Sequence, residues 1–411
     1  MIAEVHACRI CEGQNLEPYL DLGIMPLANN LATTQEEAFS RERFPLRVLF
    51  CEVCGLSQLS HVVSRDILFS HYLYESSIAR TFKRHCEQLV TQTNARLRLK
   101  PNDLIVEIGS NDGTLLRRFQ IAGFNNVVGV DPAENLVQKA NSNQAMTITG
   151  FWGTYIAQQI MRTLGKAAVI VGTNVFAHVH NIRGFLEACK LLLAPKGHII
   201  LEFPYLADLI EGNQFDTIYH EHLSYFLLAP LIHLARICEL QVTHVERIPI
   251  HGGSLRVELA RPVTTPMHES AVSLLQQEKN LGYCFFETYE NWARTIDATM
   301  RETRKGIGNL KKQKKRIYGF GASAKGNTLL NALHLDSSSV EVILDDTPGK
   351  IGMVSPGTGI SIVNSEILKE QTPDYLLLLA WNFREEIIGK TVNYQHSGGK
   401  YIIPIPRFAI V

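Results

Sequence analysis

Three groups of residues have types and spacings suited to chemistry. Cys8-Arg-Ile-Cys11 and Cys51-Glu-Val-Cys54 form two Cys-x-x-Cys knuckles, each followed closely by a glycine, Gly13 and Gly55. Four cysteines so arranged suit a tetrahedral zinc site of ribbon type. Four thiolates leave no open coordination position, so such a metal is structural and does not activate water. The second group is Tyr219-His220-Glu221-His222-Leu223-Ser224-Tyr225-Phe226. A zinc protease needs histidines at i and i+4 of a helix, whereas His220 and His222 are two apart. The cluster points instead to a general base beside an orienting carboxylate, because a histidine near Glu221 can take a proton close to neutral pH. The third group spans Glu107, Gly109, Asn111, Gly113 and Asp131.

The elements around the third group place it. Leu104 to Ile108 is a short, β-branched run bounded by a turn, as expected of a central parallel strand. Gly109 and Gly113 let the backbone turn sharply, and Thr114 to Phe119 starts a helix whose free N–H groups face a ligand. A second strand, Val127 to Val130, ends in Asp131, placed to accept hydrogen bonds from both hydroxyls of a ribose. The glycine spacing departs from Gly-x-Gly-x-x-Gly of dinucleotide sites. Glu-x-Gly-x-x-x-Gly resembles motif I of class I S-adenosylmethionine (SAM) methyltransferases.

Strands and helices keep alternating beyond Asp131. Asn135 to Asn141 reads as helix, Ala168 to Val171 as a buried strand, Gly184 to Leu193 as helix, and His198 to Pro204 as the next strand. Asn174 and His178 follow the carboxyl end of a strand, where ligands of open α/β sheets gather. Asn174 is placed to donate to a cofactor and His178 to point toward a substrate. His251-Gly-Gly-Ser254-Leu-Arg256 is a compact turn that offers N–H groups, a hydroxyl and a guanidinium to an anionic or hydroxyl-rich ligand. Leu68 to Ser77 is dense in hydroxyls and aromatics, including Tyr72 and Tyr74, and Ser76 or Ser77 is a candidate N-cap for the helix that follows.

In the last third, Met267 to about Lys315 is rich in helix formers with apolar residues spaced for packed faces. Its basic end, Lys311 to Arg316, suits a solvated helix terminus. Ile317 to Gly321 is a strand running into another glycine turn, with Ser323, Lys325 and Asn327 at its exit. A diphosphate at a helix N-terminus beside a lysine is the natural ligand. Alone, this turn would suit a dinucleotide site of a dehydrogenase. A later strand, Tyr375 to Ala380, leads to Trp381 and Asn382.

The 411 residues allow roughly two to three domains. Forty basic and forty acidic residues cancel, so no global field recruits nucleic acid. No apolar run approaches a membrane span and the first residues lack a leader pattern. A soluble cytoplasmic protein without membrane partners is expected. The thirty-nine residues between the two knuckles exceed a usual ribbon loop, so this segment, with Pro18, Pro26 and Pro45, is expected to fold over the metal site.

Taken together, these motifs resemble, from end to end, the SAM-dependent C-methyltransferases of nucleotide-linked deoxysugars. Those proteins carry a four-cysteine zinc module, a Glu-x-Gly-x-x-x-Gly methyltransferase domain and a Tyr-His-Glu-His-Leu-Ser-Tyr-Phe block. A glycine-rich α/β domain closes the chain, here Tyr318 to Asn327, Asp345 to Lys350, Pro356 to Gly359 and Leu379 to Phe383. The resemblance implies an α/β protein with a zinc-binding module over 1–70, a Rossmann-like methyltransferase domain over 71–262 and a second Rossmann-like domain over 263–411. It implies SAM at Glu107, Gly109, Ser110, Asn111, Gly113, Asp131, Pro132 and Asn174, and a structural Zn2+ on the four cysteines. The implied substrate is a thymidine-diphosphate 4-keto sugar. His222 is then the base polarised by Glu221, with Tyr219, His178 and one of Tyr72 and Tyr74 around the sugar. His251, Ser254, Arg256, Ser323, Lys325, Asn327, Trp381 and Asn382 form the implied substrate-binding set, and the resemblance leans to a monomer. The alternatives are an O- or N-methyltransferase, or a zinc-containing nucleotide-sugar-binding protein without turnover. Because ligation and folding of a small metal module are one equilibrium, a strong chelator is expected to unfold the segment holding Cys8 to Cys54 before the rest. Hydrogen exchange in the presence of chelator should show protection lost there first.

Overall fold

The computed structural model describes residues 2–69, 75–77, 80–262 and 267–411. Tyr72 and Tyr74 lie outside the described residues. Four sheets organise the rest. The largest has seven strands in the order Gln241–Ile248, Ser254–Ala260, Leu193–Pro204, Ala167–Thr173, Ile105–Ile108, Val127–Asp131 and Thr147–Thr149. All its pairings are parallel except those made by Ser254–Ala260. The chain leaves Ile105–Ile108 toward one edge and later returns to its other side at Ala167–Thr173. That reversal opens a crevice at the carboxyl ends of these two strands.

A six-stranded sheet repeats the plan, in the order Ser361–Val363, Val342–Leu344, Ile317–Phe320, Tyr375–Leu378, Lys400–Ile403 and Ala409–Ile410. Here the reversal falls between Ile317–Phe320 and Tyr375–Leu378, which brings Gly321 beside Ala380. The helical stretch between the two sheets is broken into Glu269–Asn280 and Phe286–Lys312. The break falls at Gly282, whose φ of +73° takes the chain out of the first helix.

In the N-terminal module the segment between the knuckles forms two long antiparallel strands, Leu16–Pro26 and Arg43–Cys51. Pro18 and Pro26 are accommodated because Leu16–Pro26 is the edge strand. The opposite edge of this four-stranded sheet is Ser224–Tyr225, which pairs with Ser57–Leu59. The module is therefore completed by residues from far along the chain, Ser224 and Tyr225 of the histidine-rich block itself.

The central strands are apolar on both faces. Ile105, Val106, Val128, Val169, Ile170 and Val171 are fully buried, as parallel strands covered by helices on each side require. Among the described residues no helix is long and apolar enough to cross a membrane. Gly113 opens the helix Thr114–Ile121 with φ +77°, and a Cβ there would lie 2.4 Å from that of buried Ala145. Left-handed backbone strain of ~1–2 kcal/mol and overpacking of ~1–3 kcal/mol act together at this position. Gly113→Ala is expected to destabilise the fold by about 2–5 kcal/mol, read as a lowered thermal midpoint.

Candidate active site

The cysteines meet as the spacing requires. Their four Sγ atoms lie within 4.8 Å of one another, with Cys8–Cys54 at 3.4 Å and Cys11–Cys51 at 3.6 Å. A tetrahedron of Zn–S bonds has an edge of about 3.8 Å, so the donor set fits Zn2+. Arg9, inside the first knuckle, points away from it and donates through Nη1 to the Leu223 carbonyl at 2.9 Å. The metal module thereby reaches the residue next to His222.

A single cavity of about 1150 Å³ runs between the carboxyl edges of the two large sheets and is walled by the N-terminal module. Such a volume exceeds that of most single-ligand pockets, and two ligands can lie end to end in it. At one end sit Glu107, Gly109, Ser110, Asn111, Asp131, Pro132 and Asn174. Gly109 has φ +71° and Asn111 φ +52°, so the turn presents its backbone to the cavity. Asp131 accepts from the Asn111 N–H at 2.8 Å and the Ala133 N–H at 2.9 Å. The side chains of Asn111 and Asp112 in turn accept from the backbone of Ser76 and Ser77, at 3.0 and 2.9 Å, pinning the preceding segment over the turn. Glu107 Oε2 and Ser110 Oγ are buried without a partner among the described residues. Burial, joined by the charges of Asp131 and Asp112, pushes the Glu107 carboxyl well above its usual range. A buried acid and hydroxyl without partners among the described residues, beside a glycine turn that presents its backbone, fit an adenosyl amino acid. Gly113 caps the helix from behind and does not line the cavity.

The middle of the cavity holds Tyr219, His222 and His178. His222 Nδ1 meets the Thr217 carbonyl at 2.8 Å, and its Nε2 meets the Tyr219 hydroxyl at 2.9 Å. A carbonyl can only accept, so Nδ1 carries the proton and the Nε2 lone pair faces Tyr219. Burial, with His178 adjacent, holds the His222 imidazole well below its usual value, so it is neutral and able to accept a proton. The His178 ring stands edge-on to it at 4.9 Å. Burial lowers His178 to about 4, and its Nδ1 has no partner among the described residues. Glu221 does not polarise His222, contrary to expectation. Its Oε1 accepts from Asn29 Nδ2 of the N-terminal module at 2.6 Å, while the chain turns at this point, the His222 N–H donating back to the Tyr219 carbonyl at 2.9 Å, and both ring nitrogens of His222 are taken by Thr217 and Tyr219. His220 likewise faces the module, with Nε2 3.2 Å from the Phe44 carbonyl.

At the far end, Ser323, Lys325, Lys350 and Asn382 line the cavity with His251. Ser323 caps the helix Ala324–Ala332 by accepting from the Gly326 N–H at 3.1 Å. Lys325 donates to the His251 carbonyl at 2.9 Å. Four residues of the expected binding set lie elsewhere. Asn327 is buried and ties the Ala28 carbonyl to Ser355, at 2.8 and 2.7 Å. Ser254 Oγ donates to the Ile250 carbonyl at 3.2 Å. Trp381 turns its indole N–H onto Asp216 at 2.6 Å. Arg256 is 2% exposed and bonds Glu202 Oε1 at 2.5 Å and Glu246 at 3.0 Å, with Gln92 completing its fork. Ser254–Ala260 is buried on both faces, so its charged side chains are spent on neighbours inside the sheet.

Sequence reasoning missed Glu202, Asp216 and Thr217. Each is an ordinary polar residue, and its role arises from residues far away in the chain. Glu202 joins Arg256 to His85, 2.6 Å away, while its carbonyl accepts the Asn174 N–H at 2.8 Å. It thus fixes the strained Asn174, φ +54°, at the cofactor end.

Three family models match consecutive stretches of the chain: "Putative zinc binding domain" over residues 8–69, "Methyltransferase domain" over 78–245 and "C-methyltransferase C-terminal domain" over 249–406. The C-methyltransferase NovU of Streptomyces niveus is 36% identical over 414 residues, which cover 100% of this chain and 98% of that one. Among solved structures, magnesium protoporphyrin IX methyltransferase from Synechocystis PCC 6803 with bound SAH is 17% identical, with TM-score 0.34 over 44% of this chain and 83% of its own. The CcbJ methyltransferase of Streptomyces caelestis is 13% identical, with TM-score 0.34 over 43% and 90%.

Burial raises the Glu202 carboxyl, but the His85 hydrogen bond and the Arg256 charge outweigh it, so its pKa is lowered overall. The resulting stability is fully present above the ordinary glutamate range and is lost as pH falls through the depressed folded value. Glu202→Ala takes the buried carboxylate from Arg256 Nε and from His85, leaving Arg256 only Glu246 and Gln92, which costs about 3 kcal/mol, the lower end for a broken buried pair. Denaturant titrations at neutral and acidic pH should show that loss at neutral pH and a smaller difference once the wild-type carboxyl is protonated.

Proposed function

The chain belongs to the zinc-containing, SAM-dependent C-methyltransferases, and on that premise we propose that it methylates C3 of a thymidine-diphosphate-linked 4-keto-6-deoxyhexose in deoxysugar biosynthesis, with His222 as the base. One observation carries this reading: a neutral, oriented imidazole with a phenol on its free nitrogen sits where a cofactor-type turn and a second, lysine-bearing glycine turn open into one cavity. Transfer to oxygen or nitrogen needs no such carbon-acid base, and family membership removes those alternatives along with the non-catalytic one.

The carbon beside the ketone is not a nucleophile until its proton leaves. In the proposed cycle the substrate displaces the Tyr219 hydroxyl from His222 Nε2, and that nitrogen takes the C3 proton. The Thr217 carbonyl accepts the Nδ1–H throughout and stabilises the imidazolium that forms. The freed Tyr219 hydroxyl, and His178, donate to the developing enolate oxygen, with one of Tyr72 and Tyr74 as a further polar group. General base help is worth ~10²–10⁴-fold and an oriented donor to the oxyanion ~10²–10³-fold. Alignment of the reacting centres supplies more, which gives a reason for two nucleotide-type sheets facing one another.

SAM supplies an electrophilic methyl group on a sulfonium. Glu107, Gly109, Ser110, Asn111, Asp131, Pro132 and Asn174 are the residues placed to hold it, Asp131 toward the ribose and Asn174 toward the amino acid end. Ser323, Lys325 and Asn382, with His251, are placed to hold the diphosphate end of the sugar.

Incubation with a thymidine-diphosphate 4-keto-6-deoxysugar in deuterated water should give exchange at C3 without SAM and a carbon-bound methyl with it. His222→Ala should lose both by ~10²–10⁴-fold while calorimetric SAM binding is retained. Near-normal turnover of that variant would rule out this base.

A further inference from the structure

The aim of His222 depends on the carbonyl of Thr217, the last residue of the short 3-10 turn Phe215–Thr217. Two anchors hold the start of that turn. Asn213 donates to Thr299 at 2.9 Å and to the Pro406 carbonyl at 3.0 Å, and Gln214 donates to the Gly252 carbonyl at 2.6 Å. Within the turn itself the side chain that ties it to another element is Asp216, which is 0% exposed and accepts from Trp381 Nε1 at 2.6 Å. Trp381 comes from the carboxyl edge of the C-terminal sheet, directly after Tyr375–Leu378. The Lys325 ammonium stands 5.4 Å from the Trp381 ring and reaches the methyltransferase half at the His251 carbonyl.

We propose that Asp216 is a positioning residue through which the nucleotide half of the cavity sets the aim of the base. The inference rests on the reading of His222 as that base. A plain tether between two halves of a protein would not need a buried carboxylate, since an amide or a carbonyl accepts an indole N–H equally well without the cost of burying charge. Here the second oxygen, Oδ1, has no hydrogen-bond partner among the described residues. Burial pushes the acid up to about 6 while the Lys325 charge pulls the other way. Trp381 stands between the two groups, its indole N–H on the carboxylate and its ring 5.4 Å from the ammonium of the lysine that lines the diphosphate end. An anion seated at the Ser323–Lys325 turn shares that lysine with Asp216, so occupation of the nucleotide end is felt one residue away from the carbonyl that orients His222.

Trp381→Phe removes the N–H and keeps the ring, Asp216→Ala removes the acceptor, and Asp216→Asn keeps an oxygen for the indole. With the full-length, zinc-loaded protein and the thymidine-diphosphate 4-keto sugar, Trp381→Phe and Asp216→Ala are expected to lower kcat and C3 deuterium exchange together by ~10²-fold, the scale of a small misplacement at a reacting centre. SAM affinity and KM for the sugar should move by less than about threefold, well below that scale. Asp216→Asn, which keeps the acceptor and removes the charge, should recover only part of the Asp216→Ala loss, and full recovery would reduce Asp216 to a plain tether and overturn the proposal. Nitrogen NMR of labelled histidine should show the Nδ1–H form of His222 giving way to a mixture in Trp381→Phe. If Asp216→Ala does not fold, Trp381→Phe carries the test alone. Wild-type kcat in Trp381→Phe, or a raised KM with kcat and the His222 tautomer unchanged, would overturn the proposal. Run beside these, His222→Ala separates the two claims. Loss of exchange in His222→Ala with normal Trp381→Phe removes the coupling alone, whereas retained exchange in His222→Ala removes the base reading beneath it.

Discussion

The hydrogen bond from His222 Nδ1 to the Thr217 carbonyl is the constraint that the surrounding structure serves. It selects one tautomer and leaves Nε2 as the acceptor of the ring, beside the Tyr219 hydroxyl in the cavity. A neighbouring carboxylate would give a stronger base, but it would also place a charge beside the reacting carbon. A carbonyl orients without that charge, and deep burial keeps the ring neutral. The segment carrying this pair is gripped from three directions. The zinc knuckle holds Leu223 through Arg9, the N-terminal sheet holds Glu221 and His220 through Asn29 and Phe44, and the C-terminal sheet holds Asp216 through Trp381. Zinc therefore supports the proposed active site without touching its chemistry, by stiffening one of three walls.

The two large sheets use the same device at their carboxyl edges. In the first, Asp131 accepts from Asn111 and Ala133 backbone N–H groups; in the second, Asp345 accepts from Ala322 at 2.8 Å and Thr347 at 2.9 Å. A carboxylate ending the second strand closes the glycine turn that ends the first, and each turn is thereby fixed before any ligand arrives. The difference lies in what surrounds the turn. The first has buried acids and unpartnered acceptors, while the second has Lys325 and Lys350 in its lining. That contrast suits a cationic sulfonium ligand at one end and a diphosphate at the other.

Charged residues inside the seven-stranded sheet follow a different logic. Ser254–Ala260 runs antiparallel between two strands and is covered on both faces. Arg256 and Glu258 are therefore internal and must be neutralised on the spot, Arg256 by Glu202 and Glu246, and Glu258 by Arg96 and His198 at 2.8 Å each. Such pairs are costly to break and rarely free to bind ligands. A guanidinium next to a glycine turn looks like an anion site in sequence, and the burial of its strand is what removes it from consideration.

The sequence by itself determined the features that depend on local geometry. The cysteine knuckles, the strand, turn and helix at Glu107 to Leu116, the acid at Asp131 and the alternation of strands with helices are all written in contiguous residues, because turns, caps and strand periods are short-range. The histidine-rich block was legible as chemistry for the same reason. Tertiary structure alone decided which of its side chains work together. Glu221 is adjacent to His222 in the chain yet faces Asn29, while Thr217, five residues back, supplies the partner. Trp381 and Asn327 sit at motif positions but serve as ties between halves of the molecule, and Ser224 and Tyr225 complete a sheet begun near the first residues. Hydrogen-bond partners of buried polar groups are assigned by which elements pack together, and that packing is a long-range outcome no short window of sequence contains.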